Sequence, residues 1–206
     1  MKVWTKIRRI PWEIANRISN YLLVKKYPWL HPIDWGTDEN GEYIEIRDPN
    51  YKYEYVYIFK NKPGWWKAFG KLFCDEIQEH YAECPNMYVL EEKEKFGELR
   101  ISFGQANEAV DKICDKYEHI SGNICYFCGR EAPMTNDGWL LPICPYCYVN
   151  KKWGVRPYSE VVCKDDSGKM AESYTIRHFS KDEYWDEVID ISDTVKKIRA
   201  NYAKNR

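Results

Sequence analysis

The sequence predicts an α+β protein in which antiparallel hairpins pack with amphipathic helices around an embedded four-cysteine ribbon. Three observations predict it. Segments whose apolar residues recur every three to four positions alternate with segments of period two. The period-two segments come in neighbouring pairs joined by turn-forming residues, as antiparallel hairpins do. Cys125-x2-Cys128 is followed, after fifteen intervening residues, by Cys144-x2-Cys147.

Taken in order, Pro11 suits a first helical position, and Ile14, Ile18, Tyr21 and Leu22 recur at helical spacing before Pro28. This predicts an amphipathic helix of about four turns. A Pro- and Gly-bearing connector follows. Then "EYIEI", the turn "RDPN" and "YKYEYVYIF" predict a hairpin with Tyr51, Tyr53, Tyr55, Tyr57 and Phe59 on one face. After a break at Pro63-Gly64, the steps Trp66, Phe69, Phe73, Ile77, Tyr81 predict a second helix. "MYVLEEKEKFGELRISF" predicts a second hairpin with Gly97 at a positive φ, Leu99, Ile101 and Phe103 inward, and Glu98, Arg100 and Ser102 outward. "ANEAVDKICDKYEHISG" predicts a helix with Val110, Ile113, Cys114 and Tyr117 on one stripe and Gly122 as its stop. "SEVVCKDDSGKMAESYTIRHF" predicts a third hairpin turning at "DDSG". Ser180 with Glu183 three residues on predicts the start of a last helix. The units so defined are 1–61, 62–121, 122–150 and 151–206, packed as one body.

Composition bounds the function. Apolar residues make up 44% of the chain, enough for a real core. A net charge of −1 argues against a wholly electrostatic nucleic-acid binder. The basic groups are gathered at the ends: seven Lys or Arg against one Glu in residues 1–26, and five against none in 194–206. Such ends meet phosphate or an acidic protein, or simply keep helix ends solvated. Aromatic residues reach 16%, which serves packing or base stacking. Residues 1–18 hold no apolar run of signal-peptide type, and no stretch approaches the roughly 20 apolar residues of a membrane span. The expectation is a cytoplasmic protein without a membrane partner, whose eight cysteines are thiols or metal ligands.

Cys125, Cys128, Cys144 and Cys147 have the spacing of a four-thiolate zinc site. Two residues between cysteines let the backbone curl so that both sulfurs face one ion. Gly129 suits a positive φ after the first pair, "NDG" at 136–138 marks a turn, and "WLLPI" reads as a strand into Cys144. Four thiolates close the tetrahedron, so the expected role is structural, with iron as the other four-sulfur candidate. Arg130, Lys151 and Lys152 are near enough in sequence to offset the anionic centre. Cys114 and Cys163 read as small buried hydrophobes. Glu76, His80 and Cys84, at i, i+4 and i+8, are a weaker second metal candidate.

Gly64-Trp65 opening a helix, the string "YVLEEKEKFGELRISF", and the cysteine module with Gly138-Trp139 inside it occur here in one order. That order resembles a family of small bacteriophage and prophage proteins that share a "KEKFG-x-LR" hairpin and a four-cysteine zinc ribbon. The resemblance covers residues 21–150, including "KKYPWL" at 25–30. The chain departs from it at Glu92 and Ser102, and 151–206 has no counterpart. The resemblance implies a phage source, a bacterial host cytosol and the fold sketched above, and supplies no mechanism.

"KEKFGELR" remains open between two roles. Lys93, Lys95 and Arg100 can grip an anion or a partner protein, or they can pair with Glu92, Glu94 and Glu98 across the hairpin. The first functional reading is a non-enzymatic zinc-ribbon protein that engages a host or phage macromolecule, for instance by blocking a bacterial enzyme or defence component. The others are nucleic-acid binding through the ribbon and basic termini, and an enzyme with a site around Lys93, Glu94 and Arg100.

Overall fold

Residue periods placed the middle of the chain well and its two ends less well. The computed structural model describes residues 11–47, 50–56, 58–151, 156–163, 168–179 and 184–204. Among these, helical segments accompany four separate antiparallel two-stranded sheets, an α+β architecture. Tyr57, Lys152, residues 165–167, Ser180 and Glu183, and the basic residues 1–10, lie outside the described residues.

Helix α1 (Trp12–Lys26) forms where predicted, with Pro11 just before it. Its orientation is a correction. Ile14, Ile18, Tyr21 and Leu22 are exposed, while Asn20 and Val24 are buried. Both faces of α1 carry apolar residues, so the helical period cannot choose between them. Hydrogen bonding chooses. The buried Asn20 donates to the Tyr53 carbonyl at 2.9 Å and accepts from Lys60 at 2.9 Å, so burying it costs little.

The first hairpin is also a correction. Strand β1 (Ile33–Thr37) pairs with β2 (Tyr43–Arg47) across a turn at 38–42, while Asp48 and Pro49 of "RDPN" lie outside the described residues. Asn40-Gly41 was the signal: Gly41 has φ +81°, and the Asp38 carboxylate accepts the amides of Asn40 and Glu42. These two backbone amides, Glu42 first, hold the Asp38 carboxyl below its usual value. Residues 51–56 form no strand, so the predicted pairing of "EYIEI" with "YKYEYVYIF" is not made. Tyr51 instead packs against Tyr53 and Tyr55, at ring centroid distances of 4.9 and 5.7 Å, and Tyr53 takes φ +58°.

Pro63-Gly64 begins a helix instead of interrupting the chain. Segment α2 (Pro63–Trp65) runs through a π-helical turn, Trp66–Gly70, into α3 (Lys71–Glu79). At the wide turn the Trp66 indole lies over Gly70, where a Cβ would come within 2.4 Å of the ring. This helix supplies Trp65, Phe69, Phe73 and Ile77 to the core, against Trp29, Phe59 and Tyr117. Hairpin β3 (Tyr88–Lys95) and β4 (Glu98–Gly104) forms as predicted, with a bulge between Val89 and Glu91. Leu99, Ile101 and Phe103 are buried against α4 (Glu108–Ser121). Asn107 caps α4 by accepting the Val110 amide at 3.1 Å.

Helices α1 and α3 are tied by Asp75, which takes Lys26 and Tyr27 at 2.7 Å and Lys71 at 2.5 Å. Burial raises the Asp75 pKa, but the hydrogen bonds from Lys26, Lys71 and Tyr27 outweigh it and hold it at about 2. A carboxylate held lower in the folded state than in the unfolded chain stabilises fully above about pH 4 and loses that contribution as pH falls towards 2. Acid titration of Asp75→Asn should therefore show a shallower stability loss in that window than the parent. Equal slopes would remove Asp75 from the account.

The tail differs most. Residues 159–163 do not pair with 169–179. Segment 158–161 is a short helix, and Val162 bridges Thr135 while the Cys163 amide donates to the Met134 carbonyl. The tail hairpin is Ser173–Phe179 with Tyr184–Asp190, and the last helix starts at Ser192 and not at 180. The signal was composition, since Tyr184-Trp185 and Val188 to Ile191 favour strand. Cross-strand pairs fix the register: Arg177 to Asp186 at 2.8 Å, and His178 stacked on Trp185 at 5.1 Å.

Candidate metal centre and its surroundings

The ribbon is built from two knuckles and a hairpin. After Cys125 the chain curls so that the Gly129 amide donates to the Cys125 carbonyl and the Cys125 amide to the Arg130 carbonyl. Gly129 has φ +81°, as the turn requires. Strands β5 (Met134–Asn136) and β6 (Leu140–Pro142) turn at Asp137-Gly138 and return the chain to Cys144. Cys144 caps helix α5 (Pro145–Asn150), its sulfur accepting the Cys147 amide at 3.5 Å, with Pro145 in the first helical position. The Tyr126 amide donates to the Pro142 carbonyl and links the two knuckles.

The four sulfurs of Cys125, Cys128, Cys144 and Cys147 lie within 4.8 Å of one another, and Cys128 Sγ is 3.6 Å from Cys144 Sγ. A tetrahedral ion with metal–sulfur bonds of about 2.3 Å needs sulfurs about 3.8 Å apart. The quartet can hold a metal ion. Hydrogen bonds from Cys125 and then Cys128 push the Cys144 thiol down, while the Cys128 bond pushes Cys125 up. Four thiolates this close would repel one another and need a cation to coexist.

The second candidate is not assembled. Glu76 is taken by Lys116 and by the Tyr117 hydroxyl at 3.0 Å. His80 lies 3.6 Å from Glu83. Among the described residues, the cysteine quartet is the one group close enough to hold an ion. Cys114 is buried as anticipated, which pushes its thiol up, and Cys163 is half-buried.

Sequence reasoning missed how the ribbon is mounted. The Gly64 amide donates to the Tyr126 carbonyl at 2.8 Å, and the buried Trp65 indole N–H donates to the Ile124 carbonyl at 3.0 Å. Trp65 also packs edge-on to Tyr126, with centroids 5.3 Å apart. The start of α2 therefore sits on the first cysteine knuckle. Gly64 has to be glycine because a Cβ would lie 2.0 Å from the Cys125 carbonyl oxygen. The Gly-Trp dipeptide was visible; its target, about sixty residues away, was not.

The charged hairpin end meets the ribbon as well. Phe96 and Gly97 form its turn with φ +56° and +83°. Glu94 accepts the Gly97 amide at 2.6 Å through one oxygen and the Trp139 indole N–H at 2.9 Å through the other. A Cβ on Gly97 would lie 2.4 Å from Met134 Sδ. Two hairpin tips, 94–97 and 136–140, thus lean on each other.

Arg100 faces α4, donating to Glu98 at 2.6 Å and Glu118 at 3.0 Å, while the other Glu118 oxygen accepts the Ile101 amide. Burial pushes the Glu118 carboxyl up against these contacts. Lys93 pairs with Glu91 at 2.6 Å. Glu92 does not pair across the hairpin, because it forms a buried ion pair with Lys62. Lys95 lies over the Phe96 ring at 5.5 Å and has no carboxylate partner among the described residues. Lys93, Glu94 and Arg100 are consequently not brought to one point.

Of the basic groups near the cysteines, Arg130 sits over Tyr146 and Tyr202 at 5.5 and 5.9 Å and donates to the Tyr202 hydroxyl. In the last helix Arg199 is already paired with Glu131 at 2.5 Å and Glu172 at 3.2 Å. Among the described residues no helix is long and apolar enough to cross a membrane. Comparison with family models, with curated proteins and with solved structures found no match to this chain.

Proposed function

We propose that the quartet holds zinc in a purely structural role, and that the chain is a non-enzymatic protein-binding module whose contact surface is the pair of hairpin tips. All-thiolate donors suit zinc, and four of them leave no position for water or substrate. One observation carries the binding reading. Phe96 is 66% exposed at the first central position of a hairpin turn that needs φ > 0 there, a place where Asn, Asp or Gly is favoured, so the turn itself does not call for a bulky ring. Beside it Trp139 is 57% exposed, and the two rings, with Lys95, line a groove of about 420 Å3. Exposed aromatics beside an unpaired ammonium suit a partner that inserts an apolar side chain and brings an acidic group. The resemblance to phage proteins points to a bacterial host protein in the cytosol. Nucleic-acid binding through the C-terminal helix is less well supported, since Arg199 is engaged by Glu131 and Glu172.

Phe96→Asn separates contact from fold. Asparagine accepts the left-handed region, so the variant should be as stable as the parent or more stable by about 0.5–1 kcal/mol. Capture of a partner from host lysate should nonetheless fall for Phe96→Asn and for Trp139→Ala. Unchanged capture by both variants would move the contact elsewhere.

A further inference from the structure

A second site lies away from the ribbon. A cleft of about 680 Å3 runs between α1 and residues 54–56 and 58–61, with Trp12, Asn16, Asn20, Tyr55, Lys60 and Glu92 among its walls. This volume suits a ligand of ordinary metabolite size.

Its charges do not balance locally. Glu54 is neutralised by Arg17 at 2.5 Å, and Glu92 by Lys62 in a pair whose side chains are 7% and 6% exposed. Lys60 is half-buried and donates to two neutral oxygens, Ser19 Oγ at 3.0 Å and Asn20 Oδ1 at 2.9 Å. No carboxylate reaches it among the described residues. Burial accordingly pushes the Lys60 ammonium below its ordinary pKa, with no anion to oppose the shift.

The ammonium is also held in place. Asn20 is 2% exposed, and its amide nitrogen is committed to the Tyr53 carbonyl, which turns its oxygen to Lys60. Tyr53 itself holds φ +58°. Asn16 fixes the next residue through the Glu54 carbonyl at 3.2 Å. A strained backbone that positions an unpaired cation is the kind of outlier that marks a ligand site. The remaining walls include two large rings, Trp12 at 74% and Tyr55 at 50% exposure, which offer flat apolar surface beside the charge.

We propose that this cleft binds a small molecule bearing an oxyanion, carboxylate or phosphate, on a planar ring, with the oxyanion on Lys60 and the ring against Trp12 and Tyr55.

Calorimetric titration of the full metal-loaded chain tests it with three probes. Benzoate carries a carboxylate on a ring, adenosine 5′-monophosphate carries a phosphate, and adenosine carries no charge. Binding of benzoate or of the monophosphate, with adenosine at least about tenfold weaker, supports the site, and the better probe identifies the oxyanion. Lys60→Met should weaken that probe about tenfold or more. Lys60 also ties α1 through Ser19 and Asn20, so Trp12→Ala, at an exposed position, is the second variant and should weaken binding severalfold. Absence of binding by both anions at millimolar concentration overturns the proposal. So does an affinity that Lys60→Met leaves unchanged. If Lys60→Met does not fold, an affinity unchanged in Trp12→Ala overturns it.

Discussion

Removal of the proposed metal should unfold the ribbon and, through Trp65, loosen the helix that carries it. The ribbon's own apolar cluster is small: Ala132, Leu141, Ile143 and Tyr148 beside the cysteines themselves, with Val161 added from the tail. A cluster of that size does not offset the entropy of ordering about thirty residues at 1–2 kcal/mol each. A structural four-thiolate site contributes on the order of 10 kcal/mol at neutral pH, and that binding energy is folding energy. Chelation should therefore abolish ordered structure over residues 124–151, and Cys144→Ser should approach the same state. Trp65 reports the event, because the Ile124 carbonyl and the Tyr126 ring that cover it belong to the ribbon. Tryptophan emission should shift to the red on chelation, and the melting temperature should fall steeply. The main core, with Phe59, Phe69, Phe73, Leu99 and Tyr117, lies outside the ribbon and should persist as a separate, less stable transition. A metal-free chain with an unchanged melt and emission would show that the four sulfurs do not hold the ribbon together.

Gly64→Ala should be the most damaging glycine-to-alanine substitution among the described residues. The added Cβ would lie 2.0 Å from the Cys125 carbonyl oxygen and 2.6 Å from the Tyr126 carbonyl carbon and oxygen. All three are backbone atoms, so no rotamer change relieves the clash. Moving α2 away instead breaks the hydrogen bond from the Gly64 amide to the Tyr126 carbonyl and stretches the one from the Trp65 indole to the Ile124 carbonyl. Overpacking costs about 1–3 kcal/mol and a lost hydrogen bond about 1 more, so the expected loss is roughly 2–4 kcal/mol. Because the displaced atoms belong to the cysteine knuckle, metal affinity should fall with it. Urea denaturation and metal competition on the same sample test both parts. Parent-like stability would mean that the helix–knuckle contact is not made in solution, and weakened stability with parent-like metal affinity would mean that the two are not coupled.

The elements legible from sequence share a property: their evidence is local. The β3–β4 hairpin carries its own alternation and its own turn glycine, α4 its own stripe and its Asn107 cap, and the cysteine quartet its own spacing. In each, residues within about twenty positions supply both the pattern and its partner. The α+β class and the grouping of Cys125, Cys128, Cys144 and Cys147 followed from such patterns. Asn40-Gly41 and the β-favouring run at 184–191 were equally local, and stronger use of turn chemistry and strand propensity would have placed both of those hairpins.

Other features needed the folded chain. Helix α1 has apolar residues on two faces, and only the docking of Asn20 onto the Tyr53 carbonyl and Lys60 decides which turns inward. Glu92 has lysines beside it in sequence, yet it pairs with Lys62, thirty positions away and buried with it. Arg100 is spent on Glu118, and Glu94 on the Trp139 indole, once α4 and the ribbon close on the hairpin. The sequence by itself determined the periods, the turn glycines and the grouping of the four cysteines, because covalent spacing and backbone sterics set those directly. Which charges are used up, and which are left without a carboxylate, as Lys60 and Lys95 are among the described residues, only the tertiary structure decided. An ion pair depends on which side chains the packed core brings within about 4 Å, and that distance has no counterpart in sequence separation.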